Sequence, residues 1–114
     1  MSSGNPALVV TSAARTATGQ STGIGCDSAV LSILLDVTAV SGTTPSMTVS
    51  VEWSTDGGST FCVAETADAF TAITATTKVC KQFRAKSNYY RLVWTISGTT
   101  PSFTFSAREF TTGA

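Results

Sequence analysis

The hexapeptide Ser-Gly-Thr-Thr-Pro-Ser occurs twice, at Ser41–Ser46 and Ser97–Ser102, and both copies are flanked by stretches that alternate apolar and polar residues. Alternation of period two marks a half-buried strand, so the chain must place strands on both sides of two identical segments. The direct reading is two β-hairpins. The first runs out over Leu31–Val40 and back over Met47–Trp53; the second runs out over Tyr89–Ile96 and back over Phe103–Phe110. In the first, Leu31, Ile33, Leu35, Val37 and Ala39 form one apolar face, matched by Met47, Val49, Val51 and Trp53. Pairing Ala39 with Met47, Val37 with Val49, Leu35 with Val51 and Ile33 with Trp53 joins these faces, and a one-residue slip would put Trp53 in water. Gly42 supplies a positive φ in the turn, and Pro45 holds Thr44 extended.

The second hairpin carries a conflict of parity. Its return strand is apolar at odd positions, Phe103, Phe105 and Ala107, whereas its outgoing strand is apolar at even ones, Tyr90, Leu92, Trp94 and Ile96. A β-bulge or altered turn that shifts the register by one and pairs Trp94 with Phe105 is the preferred account. Without it, Tyr90, Leu92, Trp94 and Ile96 form an apolar stripe on the outer face, which is then the first candidate for a partner interface.

The rest of the chain is read around these hairpins. Met1–Pro6 is a disordered or partner-bound tip, and Ala7–Val10 is a first short strand. Thr11–Gly25, rich in Thr, Ser, Ala and Gly, is either an extended arm or an edge strand with a ragged turn. The candidate contacts of such a binding arm are Pro6, Leu8, Val9, Val10 and Arg15. Asp56-Gly57-Gly58 makes a tight turn into a strand at Phe61–Ala64. Ala69–Ala75 and Thr77–Arg84 are two weaker strands that bring Phe70, Ile73, Val79 and Phe83 to the core. Lys78, Lys81, Arg84 and Lys86 read as a solvated edge, since Lys on an edge strand discourages unwanted pairing; an anion or acidic-partner site is the other reading.

With 114 residues the chain is one domain: an arm and first strand over 1–25 and a β body over 26–114. Only 12% of residues are charged, and seven bases against seven acids leave a net charge of zero. That removes the basic footprint of a nucleic-acid binder and suits a protein whose copies must approach one another. The N-terminus lacks a basic and apolar signal segment, and no apolar run is long enough to cross a membrane as a helix. Cys26, Cys62 and Cys80 have no metal-type spacing; they read as buried reduced thiols, with a Cys62–Cys80 bridge as the alternative.

Catalytic chemistry is poorly supplied. The absence of histidine excludes Ser-His-Asp and Cys-His catalysis and His-ligated metals. Gly23-Ile24-Gly25 and Gly57-Gly58 lack the other features of a phosphate loop. Asp27, Asp36, Asp56, Glu65, Asp68 and Glu109 show no spacing that would pair two carboxylates for glycoside hydrolysis. No cofactor and no metal is expected. Tyr89 with Tyr90 is the only seed for a sugar-stacking platform, so a small carbohydrate-binding module is the alternative from a different class.

Two resemblances add to this. Ser54-x-Asp56-x-Gly58-x-Thr60-Phe61 resembles the Asp-box motif of sialidases and other β-propellers, in which the Asp and Ser/Thr side chains tie up a hairpin turn; a single copy implies a turn geometry and no activity. More broadly, Leu35-Asp-Val-Thr-Ala-Val-Ser-Gly-Thr-Thr-Pro-Ser46, Val51-Glu-Trp-Ser-Thr-Asp-Gly-Gly-Ser-Thr-Phe61 and Tyr89-Tyr-Arg-Leu-Val-Trp-Thr-Ile-Ser-Gly-Thr-Thr-Pro-Ser-Phe-Thr-Phe-Ser106 resemble small structural proteins of tailed bacteriophages. The resemblance implies a virion component, commonly a β-sandwich that decorates or cements the capsid or belongs to the tail. The expected fold is thus an all-β antiparallel sandwich, jelly-roll or immunoglobulin-like Greek key, of about seven or eight strands with an extended N-terminal arm. The expected function is non-enzymatic binding to the major capsid protein lattice at the virion surface, after synthesis in the host cytoplasm. The protein is expected to act as a homo-oligomer, such as a trimer, contacting neither nucleic acid nor membrane. A tail or head–tail connector role is the alternative in the same particle.

Overall fold

The computed structural model describes residues 6–112; of the expected tip Met1–Pro6, all but Pro6 lies outside them. Seven strands make up one antiparallel sheet, with no helix among the described residues. They are β1 (Ala7–Arg15), β2 (Gly19–Gln20), β3 (Ile24–Gly25), β4 (Val30–Ser54), β5 (Phe61–Ala69), β6 (Thr77–Arg84) and β7 (Tyr89–Thr112). Two of them are very long. β4 and β7 run antiparallel beside each other over their whole length, from Val30 opposite Thr112 to Trp53 opposite Tyr90.

This corrects the hairpin reading. The two halves of β4 pair with β7, and neither pairs with the other half of its own strand. Val37 faces Phe105 rather than Val49, and Val49 faces Trp94. The hexapeptides are therefore crossing points at the centre of one long ladder, where Ser41 faces Ser102, Thr43 faces Thr99 and Ser46 faces Ser97. Because identical segments meet head to foot, they are related by a local pseudo-twofold. Gly42 and Gly98 have φ of 111° and 121°, and Thr44 and Thr100 both have φ of 46°. Thr44 is thus left-handed and not extended, an unusual state for a β-branched residue. In both copies the threonine hydroxyl donates to the preceding carbonyl at 2.8 Å, Thr44 to Thr43 and Thr100 to Thr99. A Cβ at Gly42 would lie 2.7 Å from the Thr100 carbonyl oxygen, and one at Gly98 would lie 2.8 Å from that of Thr44. Each glycine is there because the other copy's backbone fills its side-chain space.

The parity conflict has its cause in the same ladder. In the N-terminal half of β4, odd residues face odd residues of β7, as in Leu35–Ala107; in the C-terminal half odd faces even, as in Val51–Leu92. A register shift between Val37 and Ala39 leaves Thr38 as an extra residue, and two more shifts follow within the hexapeptides. The bulge is thus real but lies on β4 and the crossing. Trp94 meets Phe105 across the core, edge to face at 5.4 Å, rather than as its strand partner. That contact, and the 2.6 Å hydrogen bond from Tyr90 to Glu109, join side chains of the two halves of β7, so the sheet folds over at the crossing and closes on one core.

The core takes Leu31, Ile33, Leu35 and Val37 from one half of β4, Met47, Val49, Val51 and Trp53 from the other, and six residues of β7. Complete burial of Leu92 or Val49 contributes about 1.5–3 kcal/mol each. β6 pairs with the first half of β4 and β5 with the second. Beyond Ala69 the expected strand reduces to a single bridge between Ile73 and Met47. Phe70, Ile73 and Phe83 are buried, but Val79, on the same side of edge strand β6 as Phe83 and opposite Leu35, is exposed.

Gly42→Ala and Gly98→Ala should each destabilise the fold by at least about 2 kcal/mol, since they combine a left-handed backbone with a backbone clash. Gly57, with φ of 81° and nothing within 4 Å of where a Cβ would stand, is the control: its alanine variant should lose only about 1 kcal/mol. Urea unfolding of the three variants makes the comparison, and equal losses would contradict the close approach.

Candidate functional site

The stripe Tyr90, Leu92, Trp94 and Ile96 faces inward. Tyr90 and Leu92 are fully buried, Trp94 is 8% exposed and Ile96 is half-buried against the core. The stripe is thus not an outer face, and the one-residue register change explains why its parity differs from that of the other core strands. Tyr89 points the opposite way and is exposed, so the two adjacent tyrosines do not form one stacking surface.

The N-terminal arm runs along the outer edge of β7. β1 pairs with its C-terminal half, and β2 and β3 pair with its N-terminal half. Arg15 fastens the arm at the corner. Its guanidinium lies 4.9 Å from the Trp94 ring centre and 4.6 Å from that of Phe105, and donates to the carbonyls of Thr11, Ala13 and Phe105. Gly19 closes over the indole, where a Cβ would come within 2.8 Å of Nε1. Ser21 exchanges two hydrogen bonds with Leu92, and the Thr18 hydroxyl accepts from the Ile96 amide. Two sets of candidate residues, Arg15 from the arm and Trp94 from the stripe, therefore meet in one structural clasp. Of the other arm residues, Val10 is buried, Pro6 and Val9 are half-buried, and Leu8 is 46% exposed. The free edge of β1 carries no charged side chain from Ala7 to Ala14.

The outer face of the half-sheet built from β1, β6, the start of β4 and the end of β7 holds a groove. In register across it stand Leu8, Arg108, Leu34 and Cys80, with Ser106, Asp36 and Lys78 in the next row. The groove has a volume of about 360 Å³, with Leu34 and Cys80 as its apolar side chains, Lys78 and Arg108 as its cations and Asp36 as its one carboxylate. Lys78 is ion-paired to Asp36 at 2.9 Å, a highly exposed pair of little energetic weight. A second groove of about 460 Å³ lies along Phe70–Thr77 and shares Val79 and Cys80. These positions escape a reading of the sequence because Leu34 and Cys80 are isolated apolar residues on an otherwise polar face; Leu34 interrupting Ser32 and Asp36 was the available signal.

The acidic groups have separate partners. Glu52 pairs with Arg91 at 2.7 Å, and Arg91 also stacks on Phe61. Asp68 accepts from Trp53 Nε1 at 2.8 Å and pairs with Lys86 at 2.9 Å. Asp56 accepts from the Ser59 and Thr60 amides and the Thr60 hydroxyl, while Ser54 Oγ accepts from the Gly58 amide at 2.6 Å. This is the side-chain-to-turn wiring that the Asp-box resemblance implies. These bonds, led by the Thr60 amide, hold the Asp56 carboxyl below its usual range. Its contribution to stability is present above the ordinary carboxylate value and fades as pH falls through the lowered one. No group of three or more His, Cys, Asp or Glu able to hold a metal occurs among the described residues.

All three cysteines are free. Cys26 is buried, and burial pushes its thiol up, whereas Cys62 and Cys80 are exposed, contrary to the expectation of three buried thiols. Compared with known proteins, the chain matches no family model, no curated protein and no solved structure.

Two measurements check this site. An aromatic disulfide reagent should titrate Cys62 and Cys80 rapidly in the native protein and Cys26 only on unfolding; three fast thiols would contradict the packing. Burial, followed by the bond to Glu109, raises the Tyr90 phenol far above its ordinary value of about 10. The unfolded chain releases that proton near pH 10 and the folded chain keeps it, so stability falls as pH rises above about 10. Tyr90→Phe should flatten this alkaline limb in thermal melts; an unchanged slope would contradict the assignment.

Proposed function

We propose that the chain is a non-enzymatic structural protein of a tailed-phage particle, which binds the outside of the assembled capsid shell and stabilises it. In this reading the two halves of the folded sheet are the layers of a β-sandwich, and the long strands β4 and β7 pass from one layer to the other at the hexapeptide crossing. The Trp94–Phe105 contact between the halves supports that arrangement.

The observation that carries the functional reading is the edge of β1. Soluble proteins guard exposed strand edges, and β6 does so with Lys78, Lys81 and Arg84. The edge of β1 offers Ala7–Ala14 uncharged, with Leu8 exposed beside it, as a strand edge meant to be covered by a partner does. Glu52, Asp68 and Asp56, in contrast, are taken up by ion pairs and a turn. Binding only to the assembled lattice stabilises it by mass action.

Expanded phage shells mixed with the protein should bind it and melt at higher temperature than bare shells. Leu8→Lys combined with Ser12→Lys should weaken that binding at least about tenfold, a loss of about 1.4 kcal/mol, with the fold intact. Shells that neither bind the protein nor gain stability would reject the proposal, and undiminished binding by the variant would remove β1 from it.

A further inference from the structure

The charges of this neutral chain are sorted in space. Three acid–base pairs are closed, Asp36–Lys78, Glu52–Arg91 and Asp68–Lys86. Glu109 is taken by Tyr90, and Arg15 by the arm clasp. Of the seven acids and seven bases, that leaves Asp27, Asp56 and Glu65 against Lys81, Arg84 and Arg108. Asp56 sits in the turn before β5 and Glu65 on β5 itself, both beside the C-terminal half of β4, whereas Asp27 lies in the link between β3 and the start of β4. The bases lie on β6 and the end of β7, all beside the N-terminal half. Glu109 keeps its charge beside the neutral Tyr90 hydroxyl, so the half with Lys81, Arg84 and Arg108 carries an excess of positive charge rather than positive charge alone, and the half with Asp56 and Glu65 an excess of negative charge.

Each half also carries an apolar feature. On the basic half is the groove with Leu34 and Cys80 beside Arg108 and the Lys78–Asp36 pair. On the acidic half, β5 leaves the ladder between Val63, opposite Glu52, and Asp68, opposite Val51, so that Ala64–Ala67 bulge out without partners on β4. At the base of this bulge Val63 is 58% exposed, the most exposed of the large apolar side chains, and Glu65 is exposed beside it.

We propose that a second copy of this chain docks head to tail, with Val63 and Glu65 of one copy entering the groove of the next, where Glu65 meets Arg108. Opposite charges steer the contact, the buried valine and leucine supply its affinity, and zero net charge removes overall repulsion between copies. The two surfaces differ, so the interface is heterologous and propagates until a ring closes. This association needs no shell, so its failure would leave shell binding untouched, and the reverse also holds.

Sedimentation equilibrium and thiol cross-linking test it. The wild-type chain should self-associate with rising concentration and dissociate with added salt. Glu65→Arg and Arg108→Glu should each weaken association more than about tenfold, and combining them should restore it. Because Cys62 adjoins the bulge and Cys80 lines the groove, a short bismaleimide applied to a mixture of ¹⁵N-labelled and unlabelled protein should join Cys62 of one copy to Cys80 of another. A chain that stays monomeric at millimolar concentration would overturn the proposal. So would association indifferent to both charge reversals, or links that are only Cys62–Cys62, Cys80–Cys80 or within one copy.

Discussion

Where β4 and β7 cross, the backbone of each hexapeptide occupies the space a side chain of the other would need. Gly42 lies against Thr100 and Pro101, and Gly98 lies against Thr44 and Pro45, through nearly equal distances. Everything else depends on that mutual fit. It sets which residues of β4 face which residues of β7 on both sides of the crossing, and it is the point at which the sheet folds back on itself. The strained Thr44 and Thr100 persist because the long ladders on either side over-determine them. Repetition of the hexapeptide is therefore a requirement of pairing: a pseudo-twofold contact needs the same segment on both sides.

This geometry also explains what could be read from the sequence. Period-two alternation located the core faces of Leu31–Val37, Met47–Trp53 and Phe103–Ala107, and the Ser54–Thr60 motif gave its turn with the right side-chain bonds. What escaped was long-range pairing. A turn-like Gly-Thr-Thr-Pro between two alternating stretches looks the same whether the chain reverses there or crosses a second copy, because local propensity carries no information about a partner 56 residues further on, as Ser97 is from Ser41. The parity of Tyr90, Leu92, Trp94 and Ile96 was the trace of that partner, but without the ladder it could be taken for an outward-facing stripe. Leu34, Cys80 and the bulge at Ala64–Ala67 left no periodic signal at all, since single apolar residues on a polar face and irregular strand pairing break the pattern that sequence reading relies on.

The same arrangement divides the surface into distinct parts. The arm is held by Arg15, Gly19 and Ser21, so its outer edge is presented as a fixed strand rather than a loose tail. β6 guards its own edge with cations while its outer face opens into the groove. The β5 bulge projects from the opposite half. In the proposed assembly, shell binding uses the edge of β1 and self-association the bulge and the groove, two surfaces that adjoin where Leu8 faces Arg108.

The central claim is that β4 and β7 pair throughout, with the hexapeptides facing each other. Nuclear Overhauser contacts between backbone protons report this directly. Cross-peaks should link Val37 with Phe105, Ser41 with Ser102, Ser46 with Ser97 and Val49 with Trp94. Cross-strand contacts linking Val37 with Val49 and Leu35 with Val51 in their place would restore the two separate hairpins and contradict the claim.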